Sequence, residues 1–141
     1  MNRLVSWISS RAARSRGLIV LTCFAAATGA GRADEVRSVP SGVNRQIDFL
    51  ASVNPDCSPI GFPTVRLIDG PSHGVITTDK GRDFMTFPRS NPRHACNKRR
   101  VAGLKVFYQP EQGFVGVDHV RILVVAASGT ERAATYEVRV R

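Results

Sequence analysis

From residue 36 onward the sequence is a succession of short runs in which apolar and polar residues alternate, and Gly, Pro, Asn and Asp separate the runs. No run keeps the helical period of about 3.6 residues. The clearest alternation lies in residues 134–141, where Tyr136, Val138 and Val140 face one way and charged residues face the other. Such strands half-bury one face against a second layer and are typical of a sandwich or a barrel. We therefore expect an all-β fold, an antiparallel β-sandwich of about seven or eight strands.

The expected strands cover residues 36–39, 45–52, 62–68, 74–78, 83–87, 103–108, 118–126 and 134–141. In two runs the alternation places apolar residues on one face, namely Ile47, Phe49 and Ala51 in the first and Val65 and Leu67 in the second. The segment Asp79-Lys80-Gly81 has the composition of a hairpin turn, since Gly adopts positive φ easily. We expect this turn to separate two strands, 74–78 and 83–87.

The N-terminal segment has the three parts of a signal peptide. A basic region free of acids is followed by an apolar stretch at residues 17–27 and then by small residues ending at Ala33. The apolar stretch has 11 residues, whereas a membrane-spanning helix needs about 20. We predict that residues 1–33 are removed, that residues 34–141 form the domain, and that the protein is exported to the periplasm or the exterior, without a transmembrane segment in the mature chain.

Three alternatives to this cleavage stay open. Cleavage after Ala30 fits the small-residue pattern nearly as well, and an uncleaved segment would act as a membrane anchor. A lipoprotein would carry its lipid on Cys23, although Thr22 fits poorly at a position that normally holds Gly, Ala or Ser.

Removal of the signal peptide changes the charge of the protein. The whole chain carries 20 Lys and Arg against 11 Asp and Glu, a net charge of +9. Five of the basic residues precede Asp34, and no acidic residue does. The mature chain keeps 15 basic and 11 acidic residues, a net charge of +4, which is weak evidence for any class of partner.

Two cysteines, Cys57 and Cys96, remain after cleavage, and an even pair in an exported chain predicts a disulfide. Both cysteines fall between predicted strands, so the bond should join two loops and not the two sheets. A bond that closes the loop from Cys57 to Cys96 stabilises the folded chain by roughly 3–4 kcal/mol in the chain-entropy model.

Two segments resemble motifs of bacterial Ig-like and cadherin-like domains. Residues 71–75, Pro-Ser-His-Gly-Val, look like the Pro-x-His-Gly-x turn of these domains. Residues 108–118 contain Tyr-Gln-Pro and then Gly-Phe-Val-Gly-Val-Asp, which resembles their Tyr-x-Pro…Gly-Phe-x-Gly-x-Asp segment. The resemblance covers roughly residues 43–141 and implies an Ig-like β-sandwich. The motif residues are His73, Gly74, Tyr108, Pro110, Gly113, Phe114, Gly116 and Asp118.

Local chemistry explains most of these residues structurally. We expect the glycines to occupy tight corners, Phe114 to plug one end of the sandwich, and the Tyr108 hydroxyl to reach a backbone group. Asp118 should accept backbone N–H bonds in a turn. The chain departs from the family pattern in having one copy of the domain, a cysteine pair, and a basic segment beside Cys96, and it lacks the acidic calcium-binding clusters of cadherins.

No segment predicts catalysis, a metal site or a cofactor. His73, His94 and His119 stand in unrelated contexts, and no three or four ligands have zinc-site spacing. Nucleophile-elbow, phosphate-loop and His-Glu-x-x-His motifs are absent from the sequence. We therefore expect a protein that is not an enzyme; the competing hypothesis is an envelope enzyme, or an enzyme accessory protein, with an unfamiliar site.

The best candidate for a binding site is the basic segment, residues 89–100, which contains no acid. Its cations can grip carboxylates or phosphates, so an anionic envelope component or protein is the expected partner. The segment lacks the aromatic residues that stack on single-stranded nucleic acid, which argues against a nucleic-acid partner. The competing interpretation is a solvated segment without a ligand. The candidate binding residues are Arg89, Arg93, Lys98, Arg99 and Arg100.

Overall fold

A computed structural model describes residues 35–141, which form nine strands and one short 3-10 helix, His94–Lys98. The predicted signal peptide, its cleavage site and Cys23 lie outside the described residues. In chain order the strands are β1 (Glu35–Val39), β2 (Arg45–Leu50), β3 (Ser52–Val53), β4 (Pro59–Gly61), β5 (Thr64–Asp69), β6 (Gly74–Phe84), β7 (Arg100–Pro110), β8 (Gly116–Val125) and β9 (Glu131–Val140).

The strands form two main sheets and a small third one. Four strands are ordered β1-β9-β8-β5, three are ordered β2-β7-β6, and β3 pairs with β4. The prediction of an all-β fold is confirmed. All pairs are antiparallel except β1 with β9, which run parallel.

The main hydrophobic core lies between the two larger sheets. The four-stranded sheet contributes the buried side chains of Val39, Val120, Ile122, Val124, Tyr136, Val138 and Val140, and the three-stranded sheet contributes Ile47, Leu50, Val106 and Tyr108. The alternation predicted for residues 134–141 is confirmed, because Tyr136, Val138 and Val140 are buried while Arg139 and Arg141 are exposed. Burial of each large apolar side chain stabilises the fold by about 1.5–3 kcal/mol, so facing core residues hold the two sheets together as a β-sandwich.

A second, smaller cluster packs on the other face of β7. Its buried members are Val53, Cys96 and Val101. Because β7 pairs with β6 without a bulge, Val101 points to the face opposite that of Val106 in the main core. The segment between β6 and β7 therefore folds back over the outer face of the three-stranded sheet.

The hairpin predicted at Asp79-Lys80-Gly81 is wrong. Gly74–Phe84 is one continuous strand that pairs with Arg100–Pro110 along its whole length. Gly81 is not among the residues with positive φ; it lies opposite Gly103 in regular pairing. A long partner strand that pairs with every residue of β6, and hydrogen-bonds to alternate ones, outweighs the local turn preference of one glycine.

The expectation that Ile47, Phe49 and Ala51 share one face is wrong. A bulge at Ile47 shifts the register of β2 against β7, so that Leu50, and not Phe49 or Ala51, joins Ile47 in the main core. Phe49 and Ala51 pack instead on the disulfide cluster. Val65 and Leu67 do share a face, since they pair with Val124 and Ile122, but Leu67 is 53% exposed because β5 is an edge strand that the other sheet does not cover.

Candidate functional site

The residues that resemble the Ig-like motifs come together at one end of the sandwich around the carboxylate of Asp118. Asp118 is 4% exposed and accepts hydrogen bonds from the backbone N–H groups of Ser72, His73 and His119, each at 2.9 Å. The Tyr108 hydroxyl donates to Asp118 Oδ2 at 3.0 Å and lies 3.2 Å from the His73 carbonyl oxygen. This network fastens the turn before β6 to the start of β8.

Close packing around this network accounts for the neighbouring motif residues. A Cβ on Gly74 would lie 2.6 Å from the Tyr108 ring, so only glycine fits there. The rings of His73 and Phe114 stack with their centroids 4.3 Å apart. The Ser41 hydroxyl donates to the Phe114 carbonyl oxygen at 2.8 Å, which connects the loop between β7 and β8 to the turn after β1. The remaining motif residues also have structural roles near this network. Pro110 pairs with Gly74 at the end of β7, and Gly113 has a φ of +81°. Gly116 begins β8 beside the Phe114 ring.

The hydrogen bonds at Asp118 give it an acid-sensitive role. Burial opposes ionisation of the carboxyl, but the hydrogen bonds from Ser72, His73, Tyr108 and His119 outweigh burial and hold its pKa below the usual value. Burial, and then the hydrogen bond to Asp118, raises the pKa of Tyr108, which therefore stays a protonated donor at neutral pH.

We expect the stabilisation by Asp118 to disappear in acid. Because the folded-state pKa is lowered, the contribution is complete above the unfolded-state pKa of about 3.9 and is lost as the pH falls through the folded-state pKa. Urea unfolding of the parent and of Asp118→Asn at a series of pH values measures this. The parent should be the more stable protein near pH 7, and the difference should shrink below about pH 4. A difference independent of pH would contradict the assignment.

The predicted disulfide is present at the other end of the sandwich. Cys57 and Cys96 are bonded, with their Cα atoms 5.4 Å apart. Cys57 lies in the loop between β3 and β4, whereas Cys96 lies inside the 3-10 helix, so only one partner is in a loop as expected. The bond does not join the two main sheets. Cys96, the buried partner of the disulfide, belongs to the second cluster with Val53 and Val101.

The basic segment is an ordered structure built on hydrogen bonds to its own neighbours. Arg93 Nε donates to the Val53 carbonyl oxygen at 2.6 Å, and the Asn97 side chain both accepts from Phe87 N and donates to Phe87 O, at 3.0 and 2.8 Å. His94 Nδ1 lies 2.9 Å from the same Phe87 carbonyl oxygen. Arg93 is therefore half-buried, with its Nε held by the Val53 carbonyl oxygen, and it is not freely exposed as expected.

The other four cations of the basic segment are exposed; Arg89 precedes the 3-10 helix, Lys98 is its last residue, and Arg99 and Arg100 follow it. None of them has a carboxylate oxygen within 4.0 Å among residues 35–141. Arg100 stacks over the Phe84 ring at 5.5 Å, and Arg82 donates to the Arg100 carbonyl oxygen at 2.8 Å, which adds a further cation beside the segment. Arg99 is close enough to Asp56 to contribute weakly to the lowered pKa of that carboxyl, behind the hydrogen bonds from Ser58. The exposed set is Arg89, Lys98, Arg99 and Arg100.

An open groove beside the disulfide was not predicted from the sequence. It consists of two adjoining hollows, which we together call the end groove, and both hollows are lined by Ala51, Ser52, Phe87 and Ala126. Arg93 lines one part and Arg132 the other. Its walls come from segments far apart in the sequence, and alanine and serine carry no signal of a binding site, so only the folded chain reveals it.

Within the described part of the chain no three His, Cys, Asp or Glu side chains are arranged to hold a metal ion. His73 stacks on Phe114, His94 contacts Phe87, and His119 is exposed on β8, so the three histidines do not converge. Over residues 35–141 no helix is long and apolar enough to cross a bilayer.

Comparison with known proteins adds no further assignment, because no family model, curated protein or solved structure matches the chain.

Proposed function

We propose that this protein is an exported, non-enzymatic Ig-like module, periplasmic or extracellular, that binds an anionic macromolecule of the cell envelope through its basic segment. The partner is an acidic protein or a polymer that carries carboxylates or phosphates. The observation that carries the proposal is the set of four exposed cations without carboxylate partners on an ordered segment.

The Ig-like part of the proposal rests on the two motifs and on their shared environment. Residues from both motifs meet at Asp118, where one carboxylate accepts from the His73 backbone and the Tyr108 hydroxyl. A β-sandwich with a disulfide suits an oxidising compartment, which supports export.

The binding part rests on preorganisation. The basic segment is anchored by the disulfide at Cys96, by Arg93 on the Val53 carbonyl, and by Asn97 on Phe87. A segment that is already ordered loses less conformational entropy when a partner binds, which raises affinity. Arginine and lysine side chains then supply charge-assisted hydrogen bonds to carboxylates or phosphates.

Replacing Arg89, Lys98 and Arg99 together with Gln should weaken binding to immobilised polyglutamate and polyphosphate by about tenfold or more. Binding of the parent should fall steeply with salt, because exposed charges are screened over about 10 Å at 0.1 M. The free energy of unfolding should change by only about 0.5 kcal/mol, since these side chains make no hydrogen bond within residues 35–141. Arg93 and Arg100 are left unchanged because they hold Val53 and Phe84.

The matched control removes the same charge elsewhere, by replacing Arg66, Arg121 and Arg141 with Gln. All three are exposed, and none belongs to the basic segment. If the two triple variants bind equally well, net charge and not the basic segment governs binding, and the proposal fails.

A further inference from the structure

The end groove combines a mostly apolar lining with one arginine in each of its two hollows. Phe87 and Ala126 line both hollows, and Met85 and Val124 add apolar surface to the hollow that contains Arg132. No acidic residue lines either part. Both hollows are open to solvent, so the groove suits a ligand that keeps one face in water.

Arg93 is held in a fixed orientation at its end of the groove. Its Nε is hydrogen-bonded to the Val53 carbonyl oxygen, and its two Nη groups make no hydrogen bond or ion pair with residues 35–141. A guanidinium held by Nε still presents the two Nη groups, the fork that takes a carboxylate in bidentate fashion. Anchoring of this kind lowers the entropy that the side chain loses on binding.

Arg132 and several hydroxyl groups complete the polar features of the groove. Arg132 pairs with Val124 in the neighbouring strand β8, and both side chains lie on the core side of the sheet. Arg132 is nevertheless exposed, because it lies at the end of the sandwich. Ser128 and Thr130, whose hydroxyl oxygens are 3.4 Å apart in the turn between β8 and β9, line the part that contains Arg93. Ser52 Oγ accepts from Ala127 N at 3.1 Å, which leaves its hydroxyl hydrogen for a ligand acceptor.

We propose that the end groove binds an extended acidic segment of a partner protein, in which apolar side chains are flanked by Asp or Glu residues. The apolar middle takes the apolar side chains, Arg93 and Arg132 each take one carboxylate, and the hydroxyls bond to the peptide backbone. Two separated cations require two separated anionic groups, which an acidic segment provides and a single terminal carboxylate does not. This inference rests on the proposed function, because it names an acidic protein as the anionic partner and adds a second contact surface beside the basic segment.

A displayed library of random peptides of about ten residues, a length sufficient to cross a domain end in extended form, tests the groove directly. The protein used for selection is the one recovered from cells that express the full chain. The enriched peptides should contain an apolar run with an acidic residue on each side. Enrichment of peptides without acids, or no enrichment, overturns the inference.

Two variants then locate the binding of an enriched peptide. Arg132→Gln should weaken it about tenfold, the size of one lost charge-assisted hydrogen bond. Ala126→Phe should fill the groove and weaken binding by a similar factor or more. Ala133→Phe, the same change on the outer face of β9, is the control and should leave binding unchanged.

The outcomes separate the two proposals. If Arg132→Gln and Ala126→Phe bind an enriched peptide as well as the parent, the groove is not its site, and the inference fails. Polyglutamate binding that still depends on Arg89, Lys98 and Arg99 would then leave the proposed function standing. Loss of that dependence overturns the proposed function itself. Arg132 is exposed, so its variant remains a valid test even if Ala126→Phe unfolds the protein.

Discussion

Replacing Asp118 with Ala should lower the free energy of unfolding by about 3–5 kcal/mol, the cost of breaking a buried, charge-assisted network. Asp118 is buried, and its carboxylate accepts from three backbone N–H groups and from the Tyr108 hydroxyl. Removing it leaves these donors without their partner at a turn that joins two sheets. Urea denaturation of parent and variant at neutral pH measures the loss.

Two smaller changes at the same place act as controls. Tyr108→Phe removes a single hydroxyl and should cost about 0.5–1.5 kcal/mol. Asp118→Asn keeps the shape of the side chain but replaces an acceptor with a donor, and it should fall between the other two variants. A loss below about 1 kcal/mol for Asp118→Ala would mean that water satisfies the freed donors and that the network does not hold this end of the sandwich.

Removing the disulfide by the double replacement Cys57→Ala and Cys96→Ala should lower the free energy of unfolding by about 3–4 kcal/mol. The bond closes a long loop and secures the second cluster, in which Cys96 is completely buried. Chemical denaturation of the oxidised parent and of the double variant gives the difference. If the two proteins are equally stable, the apolar contacts of the cluster alone hold the loop.

The backbone at Cys57 provides a control that isolates local strain from the cross-link. Cys57 has a φ of +70°, the only positive φ of a non-glycine residue among the described residues. Ala at this position keeps the strain, whereas Gly relieves it at the cost of a more flexible unfolded chain. Cys57→Gly with Cys96→Ala should therefore be about 0.5–1 kcal/mol more stable than the double Ala variant.

The sequence predicted burial correctly where a strand face is covered on all sides, because only local alternation was then needed. The alternation of Tyr136, Val138 and Val140 predicted a buried face correctly because β9 lies inside its sheet, with a partner on each side and the other sheet beneath it. Residues of β5 follow the same local rule, yet Leu67 is exposed because this strand lies at an edge. Alternation shows which face a residue occupies, but coverage of that face depends on strands elsewhere in the chain.

The errors at β6 and in the basic segment have the same non-local origin. Gly81 suggested a turn, but β7 supplies a pairing partner that no nearby residue reveals. Arg93 looked like its charged neighbours, but in the folded chain its guanidinium meets the Val53 carbonyl, 40 residues earlier in the sequence. The sequence therefore predicted only part of the candidate site. It located the exposed cations, but the end groove beside them could be found only in the folded structure.

The parallel pairing of β1 with β9 has a consequence for how the chain folds. Glu35 pairs with Tyr136 and Val39 with Val140, so the first described strand attaches to the last one. β9 also lies between β1 and β8, and the four-stranded sheet cannot assemble while it is missing. Domains dominated by such distant contacts fold in milliseconds to seconds, because the entropy of closing large loops is lost before the contacts form. Folding of this sandwich is therefore expected to be slow, and its four-stranded sheet is expected to form only after β9 has been synthesised.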